Sequence, residues 1–378
     1  MKIIILIRIF WTAGAQKIAI REAKELQLMG HDVELIFLRG RKLPEYNELL
    51  KGIKYTIISE TGNSIFSPVY GYITHRFSPD RGNESRVDYN LIRTFPKYIK
   101  NRNIDYIICH DQFAGLAGYY SLKQLGIKYS VFIHERLTPS NNSILSRLWH
   151  KYENKILKNA TLVFAITEKV AKNVADICHV KVVANYPGMD INKVNRVRDF
   201  NEKENALIAV SMWDSGRKPK LYLDVIEKIP DFVLYFVGNF RIKELEEEFK
   251  DEIIKRKLEK KVIMKQGVKE SDLIELYQKS KFALRFGFEE FGLGSIMEPF
   301  QNVLPIITNS GLGASDLINM FSCGMVLEKI EFSTIIEFIR KYNEKSRYEA
   351  IQSNIRKVSE IYTWSKHVNL LMMPVLKK

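Results

Sequence analysis

The sequence predicts an α/β fold built as two doubly wound domains. Three observations point there. The chain has 378 residues, more than one hydrophobic core comfortably serves and about right for two. Short apolar runs alternate with segments of helical periodicity along nearly its whole length, the pattern of parallel strands joined by crossover helices. That alternation lapses near "VKVVANYPGMDINKVNRVRDFNEKENA", where Asn and charged residues accumulate, and the lapse sets a boundary around residues 187–205.

The first forty residues establish the pattern. "KIIILIRIF" is interrupted by Arg8 and is far shorter than the roughly 20 apolar residues of a membrane span. It reads as a buried parallel strand in preference to a signal peptide, so the protein is expected in the cytoplasm. "TAGAQKIAIREAKELQLMG" places Ala19, Ile20, Ala23, Leu26 and Met29 near helical spacing and stops at Gly30, a natural C-cap. "HDVELIFL" is the next strand. "KYTIIS" (54–59), "DYIICH" (105–110), "YSVFIH" (129–134) and "LVFAIT" (162–167) continue the strands, with "GLAGYYSLKQLG" and "ENKILKNA" as helices between them.

Beyond the boundary, "ALIAVSMW", "FVLYFVG", "VIMKQG", "FALRFGF", "LPIITN" and "GMVLE" predict a second parallel sheet. "IKELEEEFKDEIIKRKLEKK" is expected to be a solvated, ion-paired helix without a catalytic role. "TWSKHVNLLMMPVLKK" carries enough apolar residues to pack against something. In open parallel sheets ligands bind outside the carboxyl ends of strands. His110, His134 and Thr167, which end three of the apolar runs, are therefore where chemistry is expected. Two sheets also imply a cleft between two domains.

Composition narrows the function. Cys109, Cys178 and Cys323 have no metal-type spacing, and the Cys178-His179 pair lacks further ligands, so neither a disulfide framework nor structural zinc is expected. The 58 Lys and Arg against 44 Asp and Glu give a net charge of +14, which favours an anionic partner. Between Arg76 and Arg102 seven basic residues face three acids and interleave with Phe77, Tyr89, Phe95, Pro96 and Tyr98, with Tyr72 just before them. That mixture suits a membrane surface as well as ordinary solvation. No nucleic-acid signature is present. Neither a Gly-x-Gly-x-x-Gly after the first strand nor a P-loop occurs, which argues against a nicotinamide dehydrogenase and a P-loop kinase.

The stretch "EEFGLGSIMEP" (289–299) offers other chemistry. A loop with Gly292 and Gly294 leads into a short helix expected to start near Gly294 or Ser295, whose first amides form an anion site. Glu290 precedes that site and Glu298 follows it by roughly one helical turn. Carboxylates accept hydrogen bonds from vicinal hydroxyls. One Glu is thus suited to a sugar and the other to a ribose, on either side of a diphosphate.

On these residues, and specifically on "EEFGLGSIMEPFQNVLPIITNSGLGASDLI" (289–318), the sequence resembles the retaining glycosyltransferases of family 4, which have the GT-B fold. Weaker echoes are "GAQKIAIREAKELQLMGHDVELI", "NKILKNATLVFAIT", "NYPGMD", "LIELYQKSKFALRFGF" and "YTWSKHV". The resemblance implies two Rossmann-like domains facing across a cleft: residues 1–190 for the acceptor, 191–360 for the nucleotide sugar, and a C-terminal helix over 361–378 that returns to the first domain. It implies that Glu290 binds the transferred sugar, Glu298 the ribose, and the backbone of Phe291, Gly292, Leu293 and Gly294 the sugar and phosphate oxygens. Gly14 would leave room for the diphosphate and acceptor, and His134 would touch the donor sugar. The family's Arg and Lys, five residues apart after the first strand of the second domain, fall on "VSMWDSGRKPKLYLDVI": Lys218 fits the Lys, and Trp213 stands in place of the Arg. Arg217, Lys218 and Lys220 are the candidates for the phosphate.

The implied activity is metal-independent, retaining transfer of a sugar from a nucleotide diphosphate-sugar to an acceptor hydroxyl on a glycan, glycolipid or lipid-linked precursor, with no cofactor. His110 and Asp111 either lie near the acceptor or form a capping pair. The competing expectations are a non-catalytic nucleotide-sugar-binding subunit, which Trp213 would suit, and a nucleotide-sugar 2-epimerase. The basic and aromatic patch makes an anionic membrane surface a candidate partner, at the inner membrane face.

Overall fold

A computed structural model gives the structure of the protein and describes residues 1–10, 14–60, 89–137, 144–189, 197–287 and 293–376. The described chain divides into two compact units, Met1–Pro187 with Trp364–Lys378, and Gly188–Thr363.

In the first unit the strands are β1 (Lys2–Phe10), β2 (Asp32–Gly40), β3 (Lys54–Glu60), β4 (Tyr106–His110), β5 (Lys128–Ile133), β6 (Val163–Ala165) and β7 (Val182–Ala184). They form one parallel sheet in the order β3-β2-β1-β4-β5-β6-β7. Helices α1 (Gly14–Leu28), α2 (Asn47–Leu50), α3 (Tyr89–Ile99), α4 (Gln112–Leu125), α5 (Ile144–Asn159) and α6 (Glu168–Cys178) belong to the same unit. The expected strands and helices are present, with α2, α3 and α6 in addition and one change among the strands. "VVA" at 182–184, assigned from sequence to the irregular stretch, is the edge strand β7, registered Val163↔Val182 on β6.

The reason for α1 is visible in its inner stripe. Ala19, Ile20, Ala23 and Leu26 are wholly buried and share a cluster with Ile3, Ile5, Val33 and Leu35 of the sheet. The helix ends as expected at Gly30, whose φ is +86°. His31 N then donates to Leu26 O at 3.1 Å, closing the turn.

The second unit has β8 (Ala206–Val210), β9 (Val233–Val237), β10 (Val262–Lys265), β11 (Phe282–Arg285), β12 (Ile306–Asn309) and β13 (Gly324–Leu327). Their order is β10-β9-β8-β11-β12-β13, again parallel. Helices α7 (Lys220–Glu227), α8 (Lys243–Lys255), α9 (Glu270–Lys279), α10 (Leu293–Gln301), α11 (Ser315–Phe321), α12 (Phe332–Tyr342) and α13 (Lys345–Ile361) complete it. The charged α8 is laced by Lys243–Glu247 and Lys250–Glu246 pairs, as its sequence predicts.

The last helix, α14 (Trp364–Leu376), packs on the first unit. Val368 and Met372 join the α1 cluster, and each is fully buried. Burying two such side chains stabilises the docking by about 3–6 kcal/mol before entropy is counted. Among the described residues no helix is long and apolar enough to cross a membrane.

Strand order locates the crevice within each unit. In the first, β1 lies between β2 and β4; in the second, β8 lies between β9 and β11. The chain runs outward from β1 to β2 on one side and from β4 to β5 on the other, and likewise from β8 to β9 and from β11 to β12; ligands bind at such switch points.

Candidate active site

In the second unit, residues 211–219 leave the carboxyl end of β8. Trp213 turns inward and is wholly buried. It stacks on Phe236 at 3.9 Å and meets Tyr222 edge-on at 5.1 Å, while its Nε1 donates to Val237 O at 3.0 Å. The position aligned with the family's Arg is therefore a core position. Arg217 braces the same loop: Nη1 donates to Ser211 Oγ at 2.8 Å and Met212 O at 2.5 Å, and Nε lies 3.8 Å from the Asp214 carboxylate. Lys220 reaches towards Glu248 on α8 at 3.4 Å. Lys218 is exposed and takes a left-handed φ of +45° where the one-turn 3-10 helix Ser215–Arg217 ends. That conformation costs a side-chain-bearing residue roughly 1 kcal/mol, the kind of strain found at functional loops.

The connection after β11 starts from fixed ground. Arg285 is buried and donates from Nη1 to Phe286 O at 2.6 Å. Phe286 N donates to Tyr222 Oη at 2.8 Å. Gly287 N donates to Asn309 Oδ1 at 3.0 Å and Gly287 O accepts from Asn309 Nδ2 at 2.7 Å, a two-point clasp across the ends of β11 and β12. Glu289, Glu290, Phe291 and Gly292 lie outside the described residues. Helix α10 begins at Leu293, one residue before the expected Gly294 or Ser295. Its first amides, from Leu293 onwards, are the donors that an α-helix leaves without intrahelical partners.

Glu298 sits one turn in and is half-buried. Its Oε2 accepts from Tyr277 Oη on α9 at 3.2 Å. Burial, and then the Glu298 carboxylate, push the Tyr277 hydroxyl well above its usual range, so it stays protonated and donates. The loop carrying Lys218 and the helix carrying Glu298 thus follow adjacent strands, β8 and β11.

In the first unit Gly14 is exposed at the first residue of α1, and a Cβ added there meets nothing within 4 Å. His134 follows β5 directly. The β4–β5 register pairs His110 with Phe132, and His134, two residues on, returns to the same face of the sheet. The imidazoles of His110 and His134 accordingly stack at 5.1 Å, with His110 Nδ1 2.8 Å from His134 Nε2.

The other side of His110 holds a group that sequence reasoning missed. Its Nε2 lies 2.7 Å from Oε2 of Glu22, on α1, and Glu22 Oε1 lies 2.8 Å from Nε2 of His367, on α14. His367 Nδ1 meets Tyr186 O at 2.9 Å. Burial raises the Glu22 carboxyl, but His110 and His367 outweigh it and hold the pKa at about 2. Burial, and then His110, lower His134 to about 3. A signal for Glu22 did exist: it stands three residues after Ala19 and four before Leu26, on the inner stripe of α1. Tyr277 and Asn309 had none.

Asp111 is a cap. Its carboxylate accepts from Phe113 N and Ala114 N at 2.8 and 2.7 Å, with an uncommon φ of +81°. Arg8 lies over the Phe113 ring at 4.4 Å and opposes the rise that burial imposes on Asp111. His110 caps nothing and serves as the hub instead. Cys109, Cys178 and Cys323 are free and buried. Among the described residues no group of three His, Cys, Asp or Glu is arranged to hold a metal ion.

Comparison with known proteins bears on this arrangement. Residues 12–193 match the model of glycosyltransferase family 4, and residues 190–358 that of glycosyl transferases group 1. HepE from Anabaena, solved in complex with UDP, shares the fold at 16% identity with a TM-score of 0.75, covering 100% of this chain and 99% of that one. A glycosyltransferase from Rickettsia africae does so at 17% identity and a TM-score of 0.76, covering 100% and 99%. Sucrose-phosphate synthase from Thermosynechococcus elongatus does so at 12% identity and a TM-score of 0.72, covering 98% and 97%. No curated protein sequence matches significantly. With its GT-B pair of parallel sheets and two family matches that together run from residue 12 to residue 358, the chain belongs to the group 1 glycosyltransferases of the family 4 type.

Proposed function

We propose that the protein moves a sugar from a nucleotide diphosphate-sugar to an acceptor hydroxyl, with retention of configuration and without a bound metal. The observation that carries this reading is the placement of Lys218, the first turn of α10 and the Tyr277-held carboxylate of Glu298 at the ends of adjacent strands. Charge grows on the diphosphate as the glycosidic bond breaks, and fixed amides and cations aimed at that charge are the largest contribution such a site makes. Lys218 and the amides at Leu293 and Gly294, with Gly292 before them, would neutralise it, and Arg217 would keep the Lys218 loop in place. Glu298 would hold the ribose hydroxyls and Glu290 those of the sugar. His134 would offer Nδ1 to a sugar hydroxyl, and Gly14 would leave the diphosphate and acceptor unobstructed. Glu22 and Asp111, the two carboxylates beside His110 described above, are engaged in hydrogen bonds and are not placed to act as a glycosidase-type nucleophile. The acceptor hydroxyl would attack on the face the diphosphate leaves.

HepE is solved with UDP-glucose, which supports a nucleotide diphosphate-sugar as donor. Trp213 is a core residue, so its presence where the family has Arg does not by itself favour a non-catalytic binding subunit. The exposed Arg93 and Lys97 on α3 and Lys100 just beyond it support a glycolipid or lipid-linked acceptor at an anionic inner membrane face. Absence of binding to anionic liposomes at low salt would remove that last part.

The test is a thermal-shift screen against UDP-, GDP- and ADP-sugars followed by a transfer assay. A donor at a hundred times its Kd stabilises the protein by about 2.7 kcal/mol. Glu298→Ala and Lys218→Ala are expected to lower transfer on the order of 10²–10³-fold while leaving the ligand-free melting point unchanged. A Glu298→Ala protein with ordinary activity and donor affinity would sink the assignment.

A further inference from the structure

The hydrogen-bond chain behind His134 fixes which way that side chain faces its substrate. His367 Nδ1 abuts a carbonyl, Tyr186 O, which only accepts, so Nδ1 carries hydrogen. One proton then lies between His367 Nε2 and Glu22 Oε1. Because the Glu22 carboxyl is held at about 2, that proton is on His367, and the pair is a buried carboxylate with an imidazolium.

The surrounding charges balance without further protons. Glu22 on α1 faces His367 on α14, and Asp111 at the end of β4 faces Arg8 of β1. A second buried imidazolium at His110 would be uncompensated and costly. His110 is thus neutral, with Nε2–H donating to Glu22 Oε2, and its bare Nδ1 must accept from His134 Nε2–H. What remains is His134 Nδ1, buried and without a hydrogen-bond partner. In a native protein such an atom calls for an explanation.

We propose that Glu22, His110 and His367 are positioning residues that hold His134 as the Nε2–H tautomer, presenting Nδ1 as a lone pair for a hydroxyl of the sugar or acceptor. The inference rests on the glycosyl-transfer reading for what that hydroxyl belongs to, but not for the tautomer. His367 acts through charge: with its cation removed, Glu22 draws a second proton onto His110. His110 Nδ1–H then donates to His134 Nε2, and His134 Nδ1 becomes a donor.

Long-range proton–nitrogen spectra of the full chain, with its seven histidines assigned by single replacement, read the tautomer directly. Wild type is expected to show His134 with Nδ1 bare and Nε2 protonated. In His367→Gln, which keeps a donor towards Glu22 but no charge, His134 Nδ1 gains hydrogen, and kcat falls on the order of a hundredfold with little change in donor KM. The double variant Glu22→Gln/His367→Gln removes both charges and is expected to restore the wild-type nitrogen pattern and most of kcat. A residue with only a structural role would show no such rescue.

Protonated Nδ1 in wild-type His134, an unchanged His134 signal in His367→Gln, or a double variant no better than the single one overturns the proposal. Should His367→Gln fail to fold, the wild-type spectrum decides alone. Absent transfer activity with the expected nitrogen pattern would count against the glycosyl-transfer reading and leave the tautomer standing.

Discussion

Replacing Trp213 with Ala separates a core role from a lost catalytic one. The indole is wholly buried, sandwiched by Phe236 at 3.9 Å and Tyr222 at 5.1 Å, and bonded from Nε1 to Val237 O. Trp→Ala in such a site costs about 3–5 kcal/mol through lost contacts and the cavity left behind. For a unit the size of Gly188–Thr363, each kcal/mol lowers the melting point by roughly 2–4 °C, so a fall of about 10–15 °C is expected by scanning calorimetry. Trp213→Phe keeps the stack and loses the indole hydrogen bond, for about 1–2 kcal/mol and a fall of a few degrees. Trp213→Arg supplies the family's charge but buries it unpaired, and should unfold the unit without raising turnover. A Trp213→Ala protein melting within about 4 °C of wild type, or a folded Trp213→Arg protein with faster transfer, would refute the core placement.

Two further outcomes follow from the geometry. Glu22 falls from the usual 4.5 to about 2 in the folded chain. A depressed carboxyl contributes stability that is present above its unfolded pKa and is lost as pH falls through the folded one. The gap in unfolding free energy between wild type and Glu22→Gln, on the order of 3 kcal/mol near pH 6, should therefore close between about pH 5 and 2 in denaturant titrations; a gap independent of pH would contradict the ion pair. Gly238 has φ +117°, and a Cβ there would stand 1.8 Å from Ser211 O. Gly238→Ala is expected to cost at least about 2 kcal/mol and, by displacing the Ser211 partner of Arg217, to weaken donor binding in the thermal-shift screen. Unaltered donor affinity would show that the Lys218 loop does not depend on that anchor.

Much of this was readable because parallel α/β architecture writes itself locally. Strand runs such as "DYIICH" and "YSVFIH" are apolar because both faces of their sheet are covered, and their carboxyl ends pointed to His110 and His134. Helical phase likewise put Glu298 one turn beyond the start of α10. What was hidden depends on distance in sequence. Glu22 and His367 are 345 residues apart and meet on facing helices; His367 looks like a surface residue in an amphipathic segment, and the phase that puts Glu22 on the inner stripe of α1 does not reveal its partner. Trp213 misled for the opposite reason: matched to a family position by spacing, it is pulled into the core by aromatic neighbours on β9 and α7 that spacing does not reveal.

The chain leaves the first unit at Pro187 and comes back to it at Trp364, whereas the second unit runs unbroken from Gly188 to Thr363. During synthesis the amino-terminal unit is begun first and finished last. Until α14 emerges from the ribosome, the inner stripe of α1 lacks Val368 and Met372, and Glu22 lacks its His367 partner. Domains tend to fold as each becomes complete, so the second unit would be in place while the first still waits. The helix made last completes the buried hydrogen bonding of the helix made first.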